Sequence, residues 1–310
     1  MKRYITVDGG TTNTRVRLVC DRAIILTKQI PIGATKNING NGELKRELKR
    51  SIEDILSENF LTESDIIRVL ASGMITSEFG LVELPHVKAP ADICLLHESM
   101  AEVTFPDICS IPFVFTRGIR VDSDILENVD IMRGEETEII GIISDHDCIY
   151  VLPGSHSKII EVDSNGKICR FSTMLTGEMI SSLSQSTILK DAVDLSQNEF
   201  DEETLLLGYT YAKKNGLNNA LFKTRVLKNI LKYNKKQVYS FFIGAVLEGE
   251  IDFILSLDSE KIIIGGRKQI REAMATLLNA NSSKQVITLD DDIVDSSTSL
   301  GMIKIFEYGN

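Results

Sequence analysis

The sequence has no paired cysteines, no clustered histidines and no long apolar run, and each lack removes a class of protein. Its five cysteines (Cys20, Cys94, Cys109, Cys148, Cys169) are odd in number, scattered and without a Cys-x-x-Cys spacing, so they read as reduced thiols and not as a disulfide framework. The four histidines (His86, His97, His146, His156) have no zinc-ligand spacing, which leaves only hard ions held by oxygen as expected metals. No window approaches the roughly 18 apolar residues of a membrane span. The opening residues MKRYITVDGG have too short an apolar stretch for a signal peptide and are expected to form the first strand of a cytoplasmic protein. With 34 Lys+Arg against 44 Asp+Glu, a formal net charge of −10, the chain lacks the basic face that a phosphate backbone requires, which excludes nucleic acid as a general partner. Neither Gly-x4-Gly-Lys-[Ser/Thr] nor Gly-x-Gly-x-x-Gly occurs, so the P-loop and the Rossmann fingerprint are both absent.

What is present is a folded globular composition, 43% hydrophobic and 25% charged over 310 residues, long enough for two domains with a small-molecule site between them. Tyr4 to Asp8 and Arg15 to Val19 are β-rich runs around Gly9-Gly10-Thr11-Thr12-Asn13, predicting a hairpin. Glu43 to Leu56 places Leu44, Leu48, Ile52, Ile55 and Leu56 at helical spacing. Ile66 to Leu70 reads as a buried strand before the turn-rich Ala71-Ser72-Gly73-Met74-Ile75-Thr76-Ser77, and alternating strands and helices mark an α/β lobe. Past residue 145 the pattern restarts. Cys148 to Leu152 and Ile159 to Val162 flank Pro153-Gly154-Ser155-His156-Ser157, and setting Gly154 on Gly10 gives an offset of 144 residues. That restart predicts a duplicated domain, 1–145 and 146–310, with the last helix packing back on the first lobe; coincidence of two Gly/Ser hairpin turns is the plainer alternative. The 204–247 segment holds eight basic residues and no acidic one, a solvated helix face or a steering surface for an anion. A long apolar helix over Tyr239 to Ile254, a strand over Lys261 to Ile264, a helix over Arg271 to Leu278 and a last helix over Leu300 to Phe306 complete the reading.

Five segments carry groups suited to chemistry. The Gly9, Gly10, Thr11, Thr12 turn offers approachable backbone N–H donors and hydroxyls for phosphate, with Asp8 at the strand end as a carboxylate for Mg²⁺. Gly154, Ser155, His156 and Ser157 repeat that arrangement, and Gly265-Gly266 follows an all-isoleucine strand, where backbone can approach a nucleotide or simply turn into a helix. Glu135 and Glu136 open a helix, where its dipole accounts for acidic residues; functionally, a carboxylate there takes the proton of an attacking hydroxyl, and Arg133 beside it suits a substrate carboxylate. Thr176, Gly177 and Glu178 suit sugar hydroxyls or an ordinary helix cap in which Thr176 satisfies free N–H groups.

Together the segments Val7-Asp8-Gly9-Gly10-Thr11-Thr12-Asn13-Thr14-Arg15, Ala71-Ser72-Gly73-Met74-Ile75, Met132-Arg133-Gly134-Glu135-Glu136-Thr137, Leu152-Pro153-Gly154-Ser155-His156-Ser157-Lys158 and Met174-Leu175-Thr176-Gly177-Glu178 resemble the 2-keto-3-deoxygalactonate kinase family of the actin, sugar-kinase and Hsp70 superfamily. The resemblance implies an α/β fold of two ribonuclease-H-like lobes with an interlobe cleft, ATP and Mg²⁺, and phosphorylation of the C6 hydroxyl of 2-dehydro-3-deoxy-galactonate. It assigns the first phosphate motif to Asp8, Gly9, Gly10, Thr11 and Thr12, the second to Gly154, Ser155, His156, Ser157 and Lys158, and the adenosine motif to Gly265 and Gly266. Glu136 takes the base role with Glu135 as close rival, Arg15 and Arg133 face the substrate carboxylate, and Gly73, Met74, Thr176 and Glu178 form its walls. Two tryptophans common in the family are missing: Gly9 and Ile159 stand in their places and the chain has no Trp, which opens a different substrate preference. Another small-molecule kinase acting on an amino sugar or a pantothenate-like acid, and a non-catalytic nucleotide-binding regulator, are the alternatives. The oligomeric state stays open, a homo-oligomer included.

Overall fold

Tyr4, Ile5 and Val7 are buried along β1 (Arg3–Gly9), which pairs antiparallel with β2 (Thr14–Cys20) so that Asp8 stands opposite Arg15. β3 (Ala23–Ile30) completes the meander. The computed structural model describes residues 1–34, 40–144 and 147–309, in which two compact units can be distinguished. One joins Met1–His146, Asp163–Arg170 and Asp292–Asn310; the other joins Asp147–Val162 and Phe171–Asp291. The expected boundary at residues 145 and 146, His146 included, lies outside the described residues.

In the first unit, α1 (Gly42–Glu58) buries Leu44, Leu48, Ile52, Ile55 and Leu56, the stripe expected from their spacing. β4 (Val69–Gly73) runs parallel to β1, with Asp8 beside Ser72 and Gly9 beside Gly73. This strand lies three residues later than expected. Ile66 closes a short 3-10 turn at Glu63–Asp65, whereas the small residues Ala71, Ser72 and Gly73 are ladder members, because a strand flanked on both sides is selected by packing and not by local propensity. After β5 (Val87–Lys88), α2 (Ile93–Glu98) and β6 (Ala101–Val103), β7 (Phe113–Phe115) adds to the sheet, which has the order β3-β2-β1-β4-β7-β6. β8 (Ile119–Val121) and β9 (Asp130–Met132) join β5 in a side sheet, and α3 (Glu135–Ile142) follows.

The last helix, α9 (Asp291–Glu307), starts nine residues before the expected Leu300 and falls almost wholly in the first unit. Its early half is read poorly from sequence because three aspartates and a run of hydroxyl residues leave no apolar stripe. Small residues along the helix permit a close approach: a Cβ on Gly301 would collide with the Thr137 carbonyl of α3, and one on Gly141 with the Ser297 carbonyl. Thr6 and Ser299 hydroxyls bond at 2.8 Å, and Lys304 Nζ donates to the Ile140 and Gly141 carbonyls at 3.1 and 2.8 Å, closing the C-terminal end of α3.

In the second unit, β10 (Cys148–Leu152) pairs antiparallel with β11 (Ser157–Val162), and β12 (Ile168–Met174) continues the meander. β13 (Lys261–Ile264) lies parallel to β10, and β14 (Gln285–Thr288) parallel to β13. The order β12-β11-β10-β13-β14 repeats β3-β2-β1-β4-β7 strand for strand. Between β12 and β13 come α4 (Thr176–Ser186), α5 (Glu202–Asn215), α6 (Leu217–Asn229) and α7 (Lys235–Ser256); α8 (Lys268–Asn281) precedes β14. α7 is buried nearly all round, and Gly208 and Gly244 let α5 and α7 touch backbone to backbone. Among the described residues no helix is long and apolar enough to cross a membrane. None of the five cysteines is in a disulfide, and Cys109 and Cys148 are buried.

Candidate functional site

The parallel strands β1 and β4 end side by side, and ligands of such sheets gather at the carboxyl ends of the strands. Three glycines make the junction. Gly73 holds φ +85° and Gly134 φ +115°; a Cβ on Gly73 would strike the Gly9 carbonyl oxygen, one on Gly9 would stand 2.8 Å from Ile75, and one on Gly134 would stand 3.2 Å from the Gly73 Cα. The end of β1, the end of β4 and the start of α3 are thereby pressed together, which only glycine allows. The hairpin turn beyond Gly9 closes with the Gly10 N–H donating to the Asn13 carbonyl at 2.9 Å, and Gly33 packs against the backbone of Thr11 and Thr12.

Asp8 faces this junction with a quarter of its side chain exposed, 3.6 Å from the half-exposed Arg15. Burial holds its carboxyl above the usual range, while Arg15 and Arg17 pull the other way. Its oxygens fit a hard divalent ion. Among the described residues no three His, Cys, Asp or Glu side chains gather for a metal.

Glu135 and Glu136 open α3, and the fold separates them. Glu136 is fully buried: the Ser72 hydroxyl donates to Oε1 at 3.2 Å and the Gly134 N–H to Oε2 at 2.7 Å. Burial, and then the charge of Glu135, push it up to about 8. Glu135 keeps an accessible side chain and accepts the Arg133 N–H at 3.0 Å. Sequence reasoning missed Glu138, one turn along α3, which is pushed up to about 8 by burial, by Glu135 and by Asp8, and drawn down by Arg15. Its signal was its spacing, since residues three apart share a helix face. Ser72 was also missed as a site group, because its partner lies 64 residues away.

Arg133 is engaged within the fold. One terminal nitrogen donates to the Thr76 carbonyl and hydroxyl, both at 2.6 Å, and the other to the Leu84 carbonyl at 3.2 Å, with His86 Nδ1 at 3.4 Å. It braces the segment after β4, and Met74 stands half-buried at that segment's start.

In the second unit, the turn between β10 and β11 is held from outside. The Ser155 carbonyl accepts the N–H groups of Gly177 and Glu178 at 3.1 and 3.2 Å, and a Cβ on Gly177 would collide with the Gly154 carbonyl. Gly266, at φ +64°, is pressed on Pro153, whose carbonyl accepts the Arg267 N–H at 2.8 Å, so the Gly265-Gly266 turn and the Gly154 turn are neighbours. His156 Nε2 and Glu178 Oε1 pair at 2.9 Å, and the buried Lys158 directs Nζ to the Thr173 hydroxyl at 2.6 Å. Thr176 is not the cap expected of it. Leu175 occupies the cap position, Thr176 is the first helical residue, and its hydroxyl bonds Glu250 of α7. The basic 204–247 segment is a solvated face: Lys213, Lys235 and Lys236 pair with Asp252, Asp194 and Glu199.

Comparison with known proteins accounts for this arrangement. The chain is 28% identical over 256 residues to the 2-dehydro-3-deoxygalactonokinase of Escherichia coli (strain K12), covering 80% of this chain and 79% of that one. A crystal structure from Sinorhizobium meliloti, provisionally described as a 2-dehydro-3-deoxygalactonokinase, superposes with a TM-score of 0.78 at 19% identity, over 98% of this chain and 99% of that one. The Acidaminococcus fermentans (R)-2-hydroxyglutaryl-CoA dehydratase component A shares the fold at a TM-score of 0.52 and 13% identity, over 98% and 97% of the two chains. The architecture is thus the expected actin-like ATPase and sugar-kinase fold, with one sheet of that type in each unit. The family model for 2-keto-3-deoxy-galactonokinase matches residues 8–302, nearly end to end, and the chain belongs to that family.

Proposed function

We propose that the protein transfers the γ-phosphoryl group of ATP, with Mg²⁺, to the C6 hydroxyl of 2-dehydro-3-deoxy-D-galactonate, releasing ADP and the 6-phosphate. Family membership makes it a sugar-acid kinase. The observation that carries the residue-level reading is the glycine junction, which sets the acidic start of α3 against the end of β1 and its hairpin turn.

In this reading the backbone N–H groups and hydroxyls of Gly10, Thr11 and Thr12 hold phosphate oxygens, and Asp8 supplies the carboxylate for Mg²⁺. Bound Mg²⁺ supplies charge neutralisation on the transferring phosphate. Glu136 is enclosed with both oxygens occupied, so the base role passes to Glu135, which is accessible and takes the proton of the C6 hydroxyl as the new O–P bond forms. Glu136 then shapes the start of α3. With Arg133 engaged by carbonyls, Arg15 is the cation that meets the sugar-acid carboxylate, and Gly73 and Met74 line the acceptor. From the second unit, Gly154, Ser155, His156 and Ser157 hold nucleotide phosphate, Lys158 supports that strand, and Gly265 and Gly266 pass under the adenosine; Thr176 and Glu178 fix the turn. A cytoplasmic location fits the supply of ATP.

Assaying the purified protein with Mg²⁺ and ATP against a panel of 2-keto-3-deoxy sugar acids, amino sugars and pantothenate, with ADP release as readout, tests the proposal. The highest kcat/KM is expected for the galactonate derivative. A higher value for another compound transfers the assignment to that acceptor, and ADP release with none of them rejects it.

A further inference from the structure

Under the second hairpin turn lies a carboxyl group that the transfer reaction does not use. Glu250, on α7, is 4% exposed. Its Oε2 accepts the hydroxyl of Thr176, whose neighbour Gly177 is pressed on Gly154. Its Oε1 is buried without a hydrogen-bond partner, and so is the hydroxyl of Ser157, which acts on Glu250 from the end of the turn. A buried carboxylate with one oxygen short of a full hydrogen bond is costly, and a buried carboxylic acid is less so, because its proton can be donated towards the neighbouring Ser157 oxygen.

The charged groups nearby are directed elsewhere. On the turn, His156 pairs with Glu178, and on β11 Lys158 turns to Thr173. On α7 itself, Asp252 takes Lys213 and the Tyr209 hydroxyl of α5, Glu248 is influenced by that same Asp252 and Lys213, and on α8 Arg271 binds Asp291 and the Gly266 carbonyl. Burial, opposed by the Thr176 and Ser157 hydroxyls, pushes Glu250 up to about 7. It therefore changes charge within the working pH range.

The geometry points to Glu250 as a proton-linked positioning residue for nucleotide: the enzyme takes up a proton at Glu250 when phosphate occupies the turn above it. A phosphate anion over Ser155 and Ser157 disfavours a second anion directly beneath, so occupancy and protonation support each other, and by linkage each raises the affinity of the other by the same factor. The proton comes from solvent and returns to it on release. The inference rests on the assignment of this turn to nucleotide.

The test is calorimetric titration of the full-length protein with Mg²⁺ and ADP at pH 7.5, in two buffers of different ionisation enthalpy, repeated for Glu250→Gln. The wild type is expected to absorb a fraction of a proton per ADP beyond what Glu250→Gln absorbs. ADP affinity of the wild type is expected to weaken about tenfold more than that of the variant from pH 6 to pH 8.5, the factor set by one unit of coupling. Equal proton counts and equal pH slopes in two proteins that both bind ADP overturn the inference. Should Glu250→Gln fail to fold, wild-type binding with no proton uptake overturns it equally, and uptake that disappears in a Ser157→Ala variant that still binds ADP supports it. A wild type that binds no ADP removes instead the nucleotide assignment.

Discussion

The two hairpin turns occupy equivalent places in sheets of the same strand order, yet they are built by different means. The Gly9–Asn13 turn is shaped by backbone against backbone: Gly33, Gly73 and Ile75 fill the space behind it. In the second turn Gly154 has room, the nearest atom to a Cβ being the His156 carbonyl oxygen at 3.7 Å, and the tight glycines are those of its neighbours, Gly177 and Gly266. The first turn borders Asp8, Glu135, Glu136 and Glu138, whereas the second is fixed by N–H groups of α4 and by hydroxyls over one buried acid. One strand order thus carries two kinds of turn: one at the end of a strand whose Asp8 acts on the acids of α3, for which we propose proton transfer and metal binding, and one whose charged side chains are already partnered, for which we propose a phosphate grip.

The sharpest test of this contrast lies in the acids. Glu135→Gln is expected to lower kcat by about 10²- to 10⁴-fold, the range for removing a general base, with little change in the dissociation constant of ADP. If Glu136→Gln shows the larger loss, the enclosed residue is the base and the present assignment is inverted. Next in size is Gly73→Ala, whose Cβ meets the Gly9 carbonyl at a positive φ. It is expected to cost about 2–4 kcal/mol in urea unfolding. An unperturbed midpoint would remove the glycine junction as the organising feature.

A smaller effect concerns pH. Glu136 holds its proton in the folded protein up to about pH 8, whereas an unfolded glutamate loses it near its ordinary value of about 4.3. Between those values the folded state binds more protons, so this group makes stability fall as pH rises. Glu136→Gln removes that slope and is expected to gain about 1–2 kcal/mol relative to wild type between pH 6 and pH 8. A constant difference across that range would show that Glu136 is already ionised in the fold. Smallest of all, Gly154→Ala is expected to change stability by no more than about 0.5 kcal/mol, since its Cβ makes only an ordinary van der Waals contact and its φ is not positive. A loss like that of Gly73→Ala would erase the distinction between the turns.

Much of this was legible in the residues. The hairpins came from β-rich runs around Gly/Thr and Gly/Ser turns, α1 from the spacing of its leucines and isoleucines, and β13 from its isoleucines. Ala71, Ser72 and Gly73 read as turn yet lie in a strand, because a central strand takes its hydrogen bonds from both neighbours whatever its own preference. The first half of α9 was illegible for a related reason: Ser297 and Ser299 lie close against α3 and β1, and small polar residues leave no apolar period to detect.

By itself, then, the sequence determined the elements whose signal is local, the two turns, the acidic start of α3 and the family to which the chain belongs. Tertiary structure alone decided which of two adjacent glutamates is accessible, that the Arg133 guanidinium goes to carbonyls, and that the Thr176 hydroxyl faces Glu250, 74 residues away, and not its own helix end. Periodicity and turn chemistry act over a few neighbouring residues. The charge state and partner of a side chain depend instead on which distant backbones pack closely enough to exclude water from it.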